Sequence, residues 1–577
     1  MKFIYSSTFI FFLQHAVADL GVYHNSPDFD AGNYGAYPIQ TYNSTNLVSP
    51  RLNVLQSSSE CEDGLYTFLT PRGGATNEAS AMILDGDGNM VWKLQGYNQI
   101  YNLLVQEYKG EQYLTFWAGN DAVGGHGAGF YYMLDTSYNH VMKIGAVGGL
   151  DGDLHEFRIT EQGTAFFTVY EIVQVDLTKL GKSSFGPIWD CLIQEIDIVT
   201  GELLFQWRAA DHFSIADTYK EISDRGEPGR EFDWFHMNSI DKDPKGNYLV
   251  SSRYLHAIIY INGRTGEVIW TLGGKKNMFK DLSNGHATSF AYQHDARWSD
   301  NFTSITLFNN AVDDEHPRIA VTRGLRIRVD QAEMTAELVA DYVNPHKIRG
   351  ISQGSFQTLP NGNAFMGYGN TAAFTEYSHN GTVLCDTHYG PESQFGAGHV
   401  QSYRIYKYEW YGWPTSDPDV AIFRDDDKGW RLFVSWNGAT EVTEWILQAT
   451  EELDTDDEDW DDLASLERVG FETEFDLGSS YQRYMRVLGL DSSGRVLGVS
   501  DALDITQDNA SDSPISKTAY ANILQAWNLA PLRIEQTETG WLNILIGVCG
   551  LTGLGVGFRE GLASWRSRRK PIRLQLV

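Results

Sequence analysis

Apolar and polar positions along this chain fall into one recurring phrase: an apolar strand, a polar turn usually containing Gly, then a second strand that often ends on Trp. It stands at 82–92, 195–207 and 259–270, closing on Trp92, Trp207 and Trp270, with weaker copies at 132–144, 326–342 and 375–385. Each copy follows a turn that leads into another short strand, at 65–69, 112–117, 164–170, 247–252, 304–309 and 363–368. Upstream of most of these lies one further apolar strand. The pattern predicts four strands per unit of roughly 45 to 65 residues, the size of a propeller blade with loop insertions. Radial repetition accounts for it better than two packed sandwiches, so an all-β fold with a six-bladed β-propeller is expected over about 48–390.

Strand spacing changes after Gly412, Trp413 and Pro414. Strands expected at 431–436, 442–449, 471–475, 481–490 and 495–500 form a compact sandwich similar to a fibronectin type III or Ig-like module, with Trp436 and Trp445 in its core. The acidic run 451–462 reads as a solvated loop, because it lacks the spaced ligands and Gly of a calcium loop.

The ends add a compartment. Residues 1–18 carry Lys2, an apolar stretch and Ala16-Val17-Ala18, the form of a cleavable signal peptide. Residues 541–558 hold no charge and precede Arg559, Arg566, Arg568, Arg569 and Lys570, as a transmembrane helix with a cytoplasmic flank does. A buried core helix is the alternative for this short, Gly-rich stretch. The expected order is signal peptide 1–18, propeller 19–400, sandwich 415–505, linker 506–540, transmembrane helix 541–558 and basic tail 559–577. Such a protein is single-pass, in the secretory pathway or at the cell surface, with its bulk lumenal or extracellular. Glycosylation acceptors at Asn43, Asn301, Asn380 and Asn509 suit that topology. Cys549 falls in the span, and among Cys61, Cys191 and Cys385 at most one intrachain disulfide can form.

Charge narrows the partners. The 577 residues include 44 Lys plus Arg against 75 Asp plus Glu, a formal charge of −31, which repels a phosphate backbone and excludes a nucleic-acid footprint. With 56 Gly and 13% aromatic residues, the composition disfavours helical bundles and disorder. No nucleotide site competes: Gly181-Lys182-Ser183 ends like a phosphate loop, but Asp176 stands where its first Gly belongs. No cofactor is expected.

Candidate chemistry comes from overlaying units three, four and five, each of which places one histidine on its first strand: His155, His236 and His294. First strands surround a propeller's channel, so equivalent side chains converge at its mouth. Arg253, closing the second strand of unit four, reaches the same place.

At these residues the chain resembles the arylsulfotransferase family, in its fungal arylsulfotransferase-like branch: DLHEF at 153–157, FHMNSI at 235–240, WTLGG at 270–274, QHDAR at 293–297 and GSFQTLP at 354–360. The resemblance implies a six-bladed propeller that moves a sulfo group from a phenolic sulfate ester to a phenol without a nucleotide donor. It implies His294 as the residue transiently sulfated, surrounded by His155, His236, Asn238 and Arg253. The chain departs from bacterial members in carrying Asp295 and Arg297 after His294. The chemistry is consistent: a neutral imidazole is a nucleophile near pH 7, Arg253 and Asn238 can hold sulfo oxygens, and His155 or His236 can exchange the phenol's proton. Small phenolic donors and acceptors are the expected partners, with the membrane engaged by the C-terminal helix. Two rival functions remain open: a metal-dependent ester or lactone hydrolase using His155, His236 and His294 with Asp153 or Asp233, and a non-catalytic receptor or adhesion propeller.

Overall fold

A computed structural model describes residues 16–182, 184–311, 321–425, 429–453, 457–478 and 481–506. The chain divides into two compact units, Met1–Gln525 and Ala526–Val577, and the whole of the second lies outside the described residues. So do residues 1–15 of the expected signal peptide, the linker beyond 506, the span 541–558, the tail 559–577, Asn509 and Cys549. Among the described residues no helix is long and apolar enough to cross a membrane.

Secondary structure is almost wholly β. Antiparallel sets of four strands follow one another, the second and third joined into one sheet by a Gly129–Gly152 pairing, and the six recurring phrases are the hairpins formed by the third and fourth strands of each set. Their turns share a device: an Asp or Asn at the end of the third strand accepts backbone N–H bonds from residues two to four positions on, as Asp85, Asp135, Asp197, Asn262 and Asp330 do. The closing tryptophans tie each sheet to the next. Trp92 of the first sheet stacks on Tyr138 in the second sheet's turn, with ring centroids 4.9 Å apart. Trp207 Nε1 donates to Gly266 O of the fourth sheet (3.0 Å), and Trp270 Nε1 to Gln331 Oε1 of the fifth (3.2 Å). The indoles of Trp207 and Trp270 each bury the ring and satisfy the one donor in the same contact.

The innermost strands are Ile100–Tyr108, Gly152–Ile159, Met237–Lys242, His294–Ser299, Ser355–Thr358 and Tyr406–Tyr408, one per set of four, and successive sets touch around a closed, propeller-like ring. The last of these lies beyond the expected boundary at residue 400. Tyr406–Tyr408 returns to pair with Tyr66–Leu69 and completes the first sheet, so the chain closes the ring with a strand too short to carry a period of its own. Asn53–Gln56 adds to the outer edge of the sixth sheet, and a disulfide joins Cys61 to Cys385 across the same seam. Cys191 is buried and free.

The centre of the ring is filled by charge. Arg404, fully buried, donates to both Glu156 oxygens (3.1 and 3.2 Å), Asn102 Oδ1 (3.2 Å) and Asn238 O (2.8 Å). Arg297 bonds Glu156 Oε2 (2.5 Å), Asp295 Oδ1 (2.9 Å) and Ile240 O (2.6 Å). Tyr406 Oη and Phe356 N donate to Asp295. Burial opposes ionisation of Glu156 and Asp295, but Arg297 and Arg404 outweigh it and hold both below the usual carboxylate range.

Downstream, two sheets enclose one apolar core. Asp419–Asp425, Gly429–Ser435, Glu472–Gly478 and Ala16–Val17 form one; Asp461–Glu467, Glu444–Thr450, Tyr484–Leu490, Val496–Val499 and Leu503–Asp504 form the other. Trp436 and Trp445 are buried in that core. The acidic run differs from the expected loop: Asp457–Asp459 is a 3-10 turn and Asp461 opens a strand, because Leu466 needs the extended chain to reach the core. Ala16–Val17 pairs with Thr473 and Glu474, and Asp19 accepts the amides of Phe471 and Glu472, so the expected cleavage point sits where the chain enters this module. Asn301 and Asn380 are exposed, whereas Asn43 Nδ2 donates to Glu472 Oε2 (3.0 Å).

Breaking the Cys61–Cys385 link, which closes a loop with a sequence separation of 324, frees the unfolded chain. Cys385→Ser is expected to lower stability by about 2–5 kcal/mol in urea titrations, and Cys191 to resist thiol reagents until the protein unfolds.

Candidate active site

The ring gathers His155, His236, His294 and Arg253 at one place. His155 lies on Gly152–Ile159, its Nδ1 2.7 Å from Asp153 Oδ2. Asp153 also accepts Gly127 N and Thr168 Oγ1, which fixes the carboxylate and through it the ring. His236 immediately precedes Met237–Lys242 with φ of 52°, a left-handed conformation uncommon for a side chain of its size, and its Nδ1 sits 2.5 Å from Asp233 Oδ2. The His155 and His236 rings meet edge to face, centroids 4.9 Å apart. Neither Nε2 has a hydrogen bond among the described residues.

His294 differs. Its Nδ1 is 2.7 Å from Asn310 Oδ1 and 3.0 Å from Tyr292 O, while its Nε2 accepts the backbone N–H of Gln353 at 3.2 Å. A backbone N–H can only donate, so Nε2 is the unprotonated nitrogen and Nδ1 carries the hydrogen. Burial, reinforced by the charge of Arg253, drives the pKa of His294 well below the usual imidazole value. Burial together with the charges of His155 and Arg253 does the same to His236, and burial pushes Asp233 up to about 6, so both members of that pair are driven toward their neutral forms. Asp153 goes the other way: burial opposes, but the charge and hydrogen bond of His155 win and keep it ionised.

Arg253 follows the strand Tyr248–Ser252, its guanidinium over the Tyr292 ring at 4.3 Å and the Tyr254 ring at 5.0 Å, with Nη2 donating to Ile351 O (3.2 Å). Asn238 is brought near but turned to another task. Its Nδ2 donates to Gln293 O (2.7 Å), the carbonyl of the peptide that carries His294, and its own carbonyl accepts from Arg404. It therefore holds the strand of His294 rather than presenting an amide to a substrate.

The sequence argument passed over two groups. Arg72, buried, stacks on Tyr101 at 4.1 Å and donates to Gln353 Oε1 (2.9 Å), so it steadies the residue that caps His294. Its signal was its place, just after the second strand of its sheet, as Arg253 stands in the fourth. His126 lies between Tyr170 and Trp189, in a Gly-Gly-His-Gly turn whose glycines are the mark of a close approach. Among the described residues no three His, Cys, Asp or Glu side chains converge as metal ligands.

Fold and site together define an all-β, propeller-like protein with a buried histidine cluster served by arginine. Residues 104–390 match the arylsulfotransferase (ASST) family, and the chain belongs to that family. No curated protein matches the chain. Among solved structures it is similar to a Bacteroides caccae protein of unknown function (15% identity over 60% of this chain and 100% of that one, TM-score 0.34). It is similar also to the periplasmic gluconolactonase PpgL of Pseudomonas aeruginosa (10%, 60% and 99%, 0.34) and to the Cps50 (Swd1) β-propeller domain of Myceliophteria thermophila (11%, 58% and 88%, 0.32).

A histidine whose pKa is depressed by folding takes up a proton more readily when unfolded, so the contribution of His294 to stability is present above the unfolded value, about 6.5, and is lost as pH falls below it. Urea midpoints between pH 7.5 and 5.5 are expected to fall, and to fall less steeply in His294→Asn, which cannot titrate.

Proposed function

We propose that this protein is a nucleotide-independent aryl sulfotransferase working through a sulfohistidine at His294. The observation that carries the reading is the tautomer of His294: Nδ1–H is anchored on Asn310, and Nε2 keeps a lone pair beside Arg253 in a site that disfavours protonation. Attack by Nε2 on the sulfur of an aryl sulfate forms the N–S bond as the S–O(aryl) bond breaks. Before it attacks, the Gln353 amide must release that lone pair, and it is then placed to donate to a sulfo oxygen. Arg253 offsets the charge of the sulfo group with a forked pair of donors.

The leaving phenolate needs a proton. His155, its ring fixed through Nδ1 by ionised Asp153, is the group that supplies it. Neutral His236, oriented by Asp233, is the complementary base that receives the proton of the acceptor phenol in the second half-reaction. The acceptor oxygen then takes the sulfo group and returns the electron pair of the N–S bond to His294. We place this chemistry on the non-cytosolic side of a membrane, a proposal supported by the Cys61–Cys385 disulfide, which persists in oxidising compartments.

Incubating the purified protein with 4-nitrophenyl sulfate and searching peptides for a sulfated histidine tests the reading. His294→Ala is expected to lose both turnover and adduct. His155→Ala is expected to slow unactivated donors by about 10²–10⁴-fold and to be partly rescued by the nitrophenyl ester, whose leaving group needs little protonation. Full turnover in His294→Ala, or turnover that depends on a bound metal with no sulfated histidine, refutes it.

A further inference from the structure

Arg297 and Arg404 are held by carboxylates, but Arg253, the arginine of the histidine cluster, is not. Among the described residues no carboxylate lies within ion-pair distance of it. Its guanidinium lies instead over the ring of Tyr292, 4.3 Å from the centroid, with the Tyr254 ring at 5.0 Å and Nη2 donating to Ile351 O. The difference matters for an incoming anion. A carboxylate orients a guanidinium by occupying its donors and cancelling its charge, whereas the face of an aromatic ring attracts the cation and leaves the charge in place and the N–H edge accessible. Tyr292 is 3% exposed and Arg253 half-buried, so the ring lies behind the guanidinium and out of a ligand's path.

The same residue touches the nucleophile. Tyr292 O lies 3.0 Å from His294 Nδ1 and, with Asn310 Oδ1, accepts the hydrogen there, which leaves the lone pair on Nε2. Tyr292 makes both contacts with φ of 54°, a left-handed conformation that persists in a bulky residue only where its surroundings fix it. They do so here. Gln293, fully buried, donates to Ser251 Oγ (3.0 Å), Ser252 O (2.9 Å) and Ala257 O (3.2 Å), which binds the Tyr292 peptide to the strand that Arg253 follows. The rings of Tyr254 and His256 pack on Tyr292 with centroids 5.7 and 5.0 Å away.

We propose that Tyr292 is a positioning residue for both halves of the site: its ring holds Arg253 in place with the charge uncancelled for an anionic sulfo group, while its carbonyl holds His294 in the tautomer that can attack. The proposal rests on the sulfotransferase reading for the identity of the anion and for the attack by His294. Because the ring acts through Arg253 and not on the substrate, its effect must disappear with the guanidinium.

The test uses the full chain and an inert probe. Benzenesulfonate carries its sulfo group on carbon and cannot transfer it, so it reports binding alone. Ring fluorines drain the negative face of an aromatic side chain with little change in its size. In a series that starts from Tyr292→Phe and adds one, two and three fluorines to that ring, calorimetric titration is expected to show benzenesulfonate binding weaken at each step, by about three- to thirtyfold in all. Single-turnover sulfation of His294 by 4-nitrophenyl sulfate is expected to lose kcat/KM in parallel. In Arg253→Ala the trend is expected to be absent or binding to be lost outright, either of which places the anion on that guanidinium. If binding follows the series but no sulfate ester turns over, the positioning role stands and the sulfotransferase reading falls. If binding is flat across the series or absent from the native protein, if the trend survives in Arg253→Ala, or if sulfation proceeds without it, the role is refuted. The sulfotransferase reading then stands wherever His294 is still sulfated.

Discussion

The ionic knot of Glu156, Asp295, Arg297 and Arg404 is the interaction on which the rest of the ring depends. Its members or their direct partners come from every sheet: Asn102 from the second, Glu156 from the third, Asn238 and Ile240 from the fourth, Asp295 and Arg297 from the fifth, Phe356 from the sixth, and Arg404 with Tyr406 from the strand that returns to the first. Two carboxylates face two guanidiniums, so their charges offset one another in the interior. Removing one partner from such a cluster leaves a bare buried charge and costs about 3–5 kcal/mol. An apolar plug of the same volume would fill the channel as well, but would not fix the rotation of each sheet about it.

That rotational constraint sets the site. His155 is bonded in sequence to Glu156, and His294 to Asp295, each where its strand is bulged, so a carboxylate drawn into the knot fixes the backbone from which the preceding imidazole projects. Asn238 adds a second constraint by holding the Gln293 carbonyl while Arg404 holds its own. Asp295 and Arg297, which separate this chain from the bacterial pattern, thus work below the chemistry as its foundation.

Much of this was legible in the chain. The phrase closing on Trp92, Trp207 and Trp270 marks hairpins because turn chemistry and a buried indole are local properties that recur wherever a sheet meets its successor. The three histidines could be set in register for the same reason. What stayed hidden depends on closure. Tyr406–Tyr408 is three residues long and pairs with a segment more than 300 positions upstream, and the partner of Cys61 follows from that same return. Asn238 was assigned by type, as a neutral donor, whereas its direction is set by the neighbouring strand. The cap that Gln353 places on His294 comes from backbone, which no residue type announces.

The return strand also orders events in time. Until residue 408 has left the ribosome, the first sheet lacks its inner strand, and until Arg404 arrives Glu156 and Asp295 have only Arg297 to share and Arg158 at the edge. Most of the ring must therefore wait, assembled but open, with Cys61 an unpaired thiol for the 324 positions before its partner is made. A nascent chain in that state exposes sheet edges to its neighbours, and the last strand of the ring to be synthesised is the latch that ends the exposure.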